Sequence, residues 1–280
     1  MGRSLTERLI SKGYRVGVYN RSKEKALEME KKGAVVFASP GELAKNCHPV
    51  LTFLTDSTAV ENVVSGDSGI LENLPPQSVH CEMSTVLPAD AKKLAERYTS
   101  RGKKFLQSPV LGSKAQILDG SLLIFAGGSE ENIAECSSVF QDFSSKVWKF
   151  ASPMEAALIK LTCNMLIAHT IVGLGQAFVF LKKNGLAPSV FLDILSRSAL
   201  NSPMIQAKGK SILEENVSPN FHLKNMLKDL KLLEKTGDDL GVELFTAGME
   251  RELFERADAM GFGSDDYAAV IRAMEKIANV

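Results

Sequence analysis

The pattern of apolar residues changes about halfway along this chain of 280 residues. Up to residue 150, short apolar runs alternate with amphipathic stretches, which predicts a mostly parallel, doubly wound sheet with helices on its faces. Beyond that point only helical patterns occur. The predicted strands are residues 15–19, 34–37, 50–54, 78–82, 104–106, 121–126 and 146–150. The predicted later helices are residues 153–183, 188–198, 203–213, 223–237, 243–260 and 265–278. The sequence therefore predicts an α/β domain, residues 1–150, followed by an all-helical domain, residues 151–280.

The start of the chain departs from what a Rossmann-type dinucleotide fold requires. Such a fold opens with a strand and a Gly-x-Gly-x-x-Gly turn, whereas Met1-Gly2 leads directly into a predicted helix. Gly2 matches the last glycine of that fingerprint. We therefore expect a sheet that lacks its first strand, either because the sequence begins about ten residues late or because the protein is a truncated form.

Composition restricts the classes of partner. Lys+Arg and Asp+Glu are equal at 33 each, so no nucleic-acid or anionic-membrane partner is predicted. Four cysteines and four histidines are scattered without ligand spacing, which predicts no metal site and a reducing, cytoplasmic setting. An organellar targeting segment upstream stays an open alternative. The uncharged run 161–181 is long enough to span a bilayer, but its polar residues favour a buried helix of a protein without membrane contact.

Lys160 and Asn164 are four residues apart, which places both side chains on one face of a helix. Ser152, Pro153 and Glu155 predict the start of that helix through a capping box with proline at the first position. A lysine inside an otherwise apolar helix indicates either a polar cleft or a side chain that snorkels at the edge of a core. The motifs at the predicted strand ends favour the cleft.

Polar and small residues follow three predicted strands. Ligands of open α/β sheets bind beyond the carboxyl ends of strands, and Asn20-Arg21-Ser22, Thr55 and Thr85 stand at such ends. A guanidinium matches phosphate oxygens in a bidentate manner, so Arg21 predicts a cofactor with a 2′-phosphate, and Lys25 adds positive charge. The alternative is a solvated basic turn.

Together these motifs resemble the β-hydroxyacid dehydrogenase family related to 3-hydroxyisobutyrate dehydrogenase, nearest its glyoxylate/succinic semialdehyde reductase branch. The resemblance covers essentially the whole chain. It is carried by Val18-Tyr19-Asn20-Arg21-Ser22, Glu82-Met83-Ser84-Thr85-Val86, Ser108-Pro109-Val110-Leu111-Gly112-Ser113-Lys114, Lys160 with Asn164, and Phe221 through Lys228-Asp229-Leu230.

The resemblance implies an NADPH-dependent reductase that converts small aldehyde or keto acids, such as glyoxylate and succinic semialdehyde, to hydroxyacids. It implies catalytic roles for Lys160 and Asn164 and a homodimer or homotetramer. Asp229 would pair with a nearby base or cap the same cleft. Substrate contacts would come from Leu111, Gly112 and Ser113. Cofactor contacts would come from Gly2, Asn20, Arg21, Ser22, Lys25, Leu54, Thr55, Thr85, Phe221 and Lys228. Leu111 stands where the family usually has serine, so a pocket hydroxyl is missing.

Three alternatives remain at this point. One is an oxidative 3-hydroxyisobutyrate-type dehydrogenase, against which Arg21 favours NADP and hence reduction. Another is a truncated, catalytically impaired scaffold that keeps the helical half. An imine reductase is less favoured because Lys160 is retained.

Overall fold

The computed structural model describes residues 1–216 and 218–280 and divides into two compact units, Met1–Lys160 and Leu161–Val280. The first unit is α/β and the second is helical. The strands are β1 (Gly17–Val18), β2 (Val35–Val36), β3 (Val50–Thr52), β4 (Val79–Glu82), β5 (Lys104–Gln107), β6 (Val110–Leu111), β7 (Leu122–Gly127) and β8 (Ser144–Phe150). The helices up to the end of the first unit are α1 (Gly2–Ser11), α2 (Lys23–Glu30), α3 (Pro40–Asn46), α4 (Ser57–Val64), α5 (Ile70–Asn73), α6 (Pro88–Thr99), α7 (Lys114–Asp119), α8 (Glu130–Gln141) and the start of α9 (Pro153–Lys183).

The first unit holds two sheets. The larger has the strand order β3-β4-β5-β7-β6, with β8 also pairing with β7. Strands β3, β4 and β5 are parallel, as are β7 and β8, and this confirms the doubly wound Rossmann-type prediction. The other sheet contains only β1 and β2, paired in parallel and separate from the six-stranded sheet.

Strand β7 runs antiparallel to both β5 and β6, which the predicted alternation of strands and helices did not anticipate. Parallel neighbours need a crossover of about a dozen residues or more, usually a full helix. Residues 108–121 instead form the two-residue β6 and the six-residue α7. The chain therefore re-enters the sheet without a full-length crossover helix.

Each face of the large sheet has its own apolar cluster. Neighbouring residues of a strand point to opposite faces, and accordingly Leu106 packs with α1 and α8 whereas Phe105 packs with α4, α5 and α6. Both side chains are buried, and burial of a large apolar side chain stabilises by about 1.5–3 kcal/mol. The helices on the two faces thus hold the strand ends in place.

The second unit is formed by α9 together with α10 (Pro188–Ser196), α11 (Pro203–Leu213), α12 (Leu223–Leu240), α13 (Ala247–Ala259) and α14 (Val270–Ala278), with 3₁₀ turns at Phe262–Ser264 and Tyr267–Ala269. Ala168, Ile171 and Phe178 of α9 lie in its core. In the described part of the chain, α9 is the one helix long and apolar enough to cross a membrane, and 39% of its apolar stretch is buried. The opposite face of α9 exposes Leu166 and Phe180, so the expected burial of this helix holds for only one side.

Candidate active site

Lys160 and Asn164 lie one turn apart on α9, as their spacing predicts. The helix begins as expected, because the Ser152 hydroxyl accepts a hydrogen bond from the Glu155 N–H at 3.3 Å. The Glu155 carboxylate accepts from the Ala151 N–H at 3.0 Å, and not from the Ser152 N–H as the predicted capping box requires. Lys160 is half-buried and Asn164 is buried. A polar amide therefore stands in the core-facing part of an apolar helix.

Asp229 on α12 explains how Asn164 is accommodated. The Asn164 side-chain amide donates to Asp229 Oδ2 at 2.6 Å, and Lys228 Nζ lies 2.8 Å from Asp229 Oδ1. Asp229 is only 2% exposed, so these partners, rather than water, stabilise its buried carboxylate. The helical unit thus brings together Asn164 and Lys228, two residues predicted for different roles, through Asp229, which the sequence motifs indicated only weakly.

A second carboxylate fixes the chain that leads into α12. Asp266 Oδ2 accepts from the backbone N–H groups of Asn220 at 3.0 Å and Phe221 at 3.4 Å. Its Oδ1 lies 2.6 Å from Lys208 Nζ. The Phe221 carbonyl in turn accepts from the Tyr267 N–H at 2.9 Å. Phe221, a predicted cofactor contact, is therefore held from both sides, and sequence reasoning did not identify Asp266.

In the first unit, a hydrogen bond links the segments that follow β3 and β4. The Leu54 N–H donates to the Ser84 hydroxyl at 2.7 Å, which places the segments carrying Thr55 and Thr85 side by side. Thr55 is exposed and Thr85 is half-buried. Gly2, at the start of α1, lies near the same edge, since a Cβ there would be 4.0 Å from Phe53. Four predicted cofactor contacts thus share one region.

The segment after β1 forms the start of α2. Asn20 Oδ1 accepts from the Ser22 N–H at 2.9 Å, and Ser22 is the residue that precedes the first turn of the helix. Arg21 and Lys25 are exposed. A helix N-terminus with two cations beside it suits an anionic group such as a phosphate. These residues follow β1 of the small two-stranded sheet, whereas Thr55 and Thr85 follow β3 and β4 of the larger one.

The predicted substrate loop has a well-defined backbone. Leu111 is in β6, opposite Leu123, and Gly112 has φ +131°, a conformation that L side chains rarely adopt. Ser113 caps α7 in a capping box with Gln116. The Ser113 N–H donates to Gln116 Oε1 at 2.8 Å, so the backbone amide of this predicted substrate contact already has a partner within the chain.

At the start of that loop, two buried oxygens have no hydrogen-bond partner within the described residues. They are Gln107 Oε1 and the Ser108 hydroxyl. The Gln107 amide nitrogen donates to the Ser84 carbonyl at 2.9 Å, which ties this position to the end of β4. Buried polar atoms nearly always have a partner or an ordered water, so this location fits a bound polar molecule. No sequence motif indicated Gln107 as a site residue.

Four buried side chains on β3, β4 and α6 form a polar chain of hydrogen-bonding groups. Thr52 donates to Glu82 Oε2 at 2.6 Å and lies 2.9 Å from His80 Nε2, while His80 Nδ1 lies 2.7 Å from the Tyr98 hydroxyl. Because the Thr52 proton is committed to Glu82, Nε2 donates and Nδ1 accepts from Tyr98. Burial lowers the pKa of His80 to about 3 and raises the pKa of Glu82.

Comparisons with known proteins agree with this arrangement. Residues 1–151 match the NAD binding domain of 6-phosphogluconate dehydrogenase, and residues 155–274 match the NAD-binding domain of NADP-dependent 3-hydroxyisobutyrate dehydrogenase. Glyoxylate/succinic semialdehyde reductase 1 of Arabidopsis thaliana is 32% identical, over 98% of this chain and 95% of that protein. Human cytokine-like nuclear factor N-PAC is 31% identical over 98% of this chain, which spans only 49% of that protein.

A solved structure, Psf3 in complex with NADP+ and 2-OPP, has the same fold, with a TM-score of 0.90, 21% identity, and coverage of 98% of this chain and 96% of that one. The fold and the matched domains define an oxidoreductase class that binds a nicotinamide dinucleotide. Within that class, the chain belongs to the β-hydroxyacid dehydrogenase family related to 3-hydroxyisobutyrate dehydrogenase. Members of this family are NAD(P)-dependent hydroxyacid dehydrogenases.

Proposed function

We propose that this protein reduces a small aldehyde or keto acid, with glyoxylate and succinic semialdehyde as the first candidates, to the hydroxyacid with NADPH. The proposal rests on the position of Lys160 on α9. It lies one turn before the buried Asn164, whose side chain Asp229 orients. The Arabidopsis relative supports the choice of substrates. NADPH supplies the hydride when it is bound, and the residues of the chain must manage the negative charge and the proton.

Lys160 is the proposed acid. As an ammonium it polarises the carbonyl oxygen and then donates its proton to that oxygen. Asp229 binds the amide nitrogen of Asn164, so the amide oxygen is the atom able to accept from an ammonium or a substrate hydroxyl. Lys228, paired with the same carboxylate, adds positive charge for the cofactor. Asp229 is thus a positioning residue in this proposal.

Replacement of Lys160 by alanine tests the proposal directly. We expect the rate of NADPH oxidation with either substrate to fall by about 10²–10⁴-fold, since a positioned general acid contributes that much. Lys149→Ala is the matched control, because Lys149 is exposed on β8. Equal turnover in Lys160→Ala and the control would remove Lys160 from the mechanism.

The preference for NADP is proposed from Arg21 and Lys25 at the start of α2. Arg21→Ala should weaken NADPH binding and leave NADH binding nearly unchanged, because only the former has the 2′-phosphate that a guanidinium matches. Fluorescence titration with each cofactor gives the two dissociation constants. An equal loss of affinity for both cofactors would show that Arg21 does not read the 2′-phosphate.

The family usually has a serine at the position of Leu111, so this pocket has an apolar side chain in place of a hydroxyl. Leu111 therefore favours a substrate with an apolar surface at that point. A 3-hydroxyisobutyrate-type reaction therefore remains within the proposal and is tested by oxidation of 3-hydroxyisobutyrate with NADP.

We also propose a homo-oligomer in the cytoplasm, in keeping with the family resemblance. Light scattering of the purified protein gives its mass in solution.

A truncated, catalytically impaired scaffold is the second candidate, because the N-PAC relatives are named as nuclear factors and not as reductases. The two candidates differ in cofactor affinity. Measurable NADPH binding with turnover supports the reductase, whereas no binding at millimolar NADPH supports the scaffold.

A further inference from the structure

Lys208 of α11 forms a largely buried ion pair within the helical unit. Its Nζ lies 2.6 Å from Asp266 Oδ1 and 4.5 Å from the centre of the Tyr267 ring. The side chain of Lys208 is 13% exposed and that of Asp266 is 3% exposed. The proposed reaction assigns no step to either residue, so this pair needs an explanation of its own.

A gain in stability alone does not explain a buried ion pair. Taking two charges out of water costs about as much as their attraction returns, and apolar side chains of similar size often stabilise a fold equally well. What an ion pair can add is a defined geometry, because hydrogen bonds to a charged group are short and directional. The contacts of the carboxylate show which part of the chain is held in this way.

Asp266 holds the segment that leads into α12. Its Oδ2 accepts from the backbone N–H groups of Asn220 and Phe221, and its Oδ1 accepts from the Ala268 N–H at 3.1 Å. Together with the ammonium of Lys208, four donors surround this carboxylate. Of these four, Lys208 alone carries a charge, so it balances the buried negative charge on which the three N–H bonds depend.

Further contacts fix the orientation of the same segment. The Leu223 N–H, two residues beyond Phe221, donates to the Asp265 carbonyl at 2.9 Å. The rings of Phe221 and Tyr267 meet edge to face, with their centres 6.2 Å apart. The ammonium of Lys208 lies over that same tyrosine ring. Both the backbone and the ring of Phe221 therefore have a defined position that includes Lys208 among its supports.

We propose that Lys208 and Asp266 are positioning residues that set the affinity of the protein for NADPH. This inference rests on the proposed function, in which Phe221 contacts the cofactor. With the ion pair intact, the Phe221 segment occupies its binding position before the cofactor arrives, and no affinity is lost to ordering it. Without the charge of Lys208, the segment samples other positions, and the affinity falls with the fraction of molecules that remain in the binding position.

The test replaces Lys208 by methionine in the full-length protein. If the segment then occupies its binding position about a tenth of the time, the Kd for NADPH rises by about tenfold. The kcat with glyoxylate should change by less than about twofold, because the lost binding is common to the ground and transition states. Hydrogen–deuterium exchange should be faster in the peptide that contains Asn220 and Phe221. A residue that only stabilises the fold would raise exchange throughout the helical unit.

Three further variants complete the design. Lys208→Arg keeps the positive charge and should restore most of the NADPH affinity. Lys210→Met is the matched control, because Lys210 is on the same helix and its pair with Glu214 is exposed on both sides. The double variant Lys208→Met/Asp266→Leu leaves no unpaired buried carboxylate and should show the same loss of affinity. The test therefore does not depend on how well the single variant folds.

Weaker NADPH binding in Lys208→Met and in the double variant, with rescue in Lys208→Arg, supports the proposal. A Kd in the double variant equal to that of Lys210→Met would overturn it, as would faster exchange spread evenly over the helical unit. Wild-type protein that binds no NADPH would reject the proposed function together with this inference. That result comes from the wild type alone, so the two failures are told apart.

Discussion

Asp229 is the residue through which the predicted site of the helical unit is organised. It lies 65 positions along the chain from Asn164, and no local pattern links a residue on α9 to one on α12 at that separation. The i, i+4 spacing of Lys160 and Asn164 could be read from the sequence because it depends only on helix geometry. The partner of Asn164 could not, because it depends on how two helices pack.

Replacement of Asp229 by alanine should therefore destabilise the protein. Asn164 and Lys228 would each lose their carboxylate contact in a buried setting, and such losses cost about 2–4 kcal/mol. Chemical denaturation measures the free energy of unfolding. Asp239→Ala on the same helix is the control, because the Lys235–Asp239 pair is exposed and should contribute less than about 1 kcal/mol. A similar small change in both variants would show that the Asp229 contacts do not stabilise the fold.

At the scale of elements, the sequence was most informative where a helix carries its own start signal. Both α9 and α11 begin at proline after a serine and have the predicted bounds, because capping is a local interaction. The predicted helix 243–260 begins instead at Ala247, after a turn. The short elements α5, β6 and α7 were not predicted, since four to six residues contain too little periodicity to identify a helix.

The turn between β6 and α7 offers a prediction at this scale. Gly112→Ala should lower stability by about 1–3 kcal/mol, since its positive φ is strained for alanine and the new Cβ would lie 2.8 Å from Leu122 Cδ1. Gly173→Ala is the matched control, because the added Cβ on α9 meets nothing within 4 Å. Alanine favours a helix, so this variant should be more stable by up to about 1 kcal/mol. Thermal unfolding of both variants checks the opposite signs, and an unchanged Tm in Gly112→Ala would contradict the prediction.

At the scale of the whole molecule, the order of strands in the sheet could not be predicted from the sequence. The alternation of strands and helices predicts a layered α/β unit, but it does not specify that β7 lies between β5 and β6 or that β1 and β2 form their own sheet. The same limit applies to the polar chain from Tyr98 to Glu82. The sequence predicts no role for His80. Its burial depends on the long-range pairing of β4 with both β3 and β5.

That burial predicts how the stability of the molecule depends on pH. An unfolded histidine takes up a proton near pH 6.5, whereas His80 in the folded protein does so only near pH 3. Between these values the unfolded state binds more protons. The stability contributed above pH 6.5 is therefore lost as the pH falls towards 3, with a slope of up to about 1.4 kcal/mol per pH unit.

His80→Gln removes this titration and keeps hydrogen-bonding groups near Thr52 and Tyr98. Urea denaturation at pH 7, 6, 5 and 4 should show that the stability gap between wild type and variant narrows as the pH falls. Glu82 acts in the opposite sense, since its raised pKa contributes stability at low pH that is lost as the pH rises. Glu82 is present in both proteins, so its effect largely cancels in the difference. Parallel stability curves would mean that His80 accepts a proton in the folded protein as readily as in the unfolded chain.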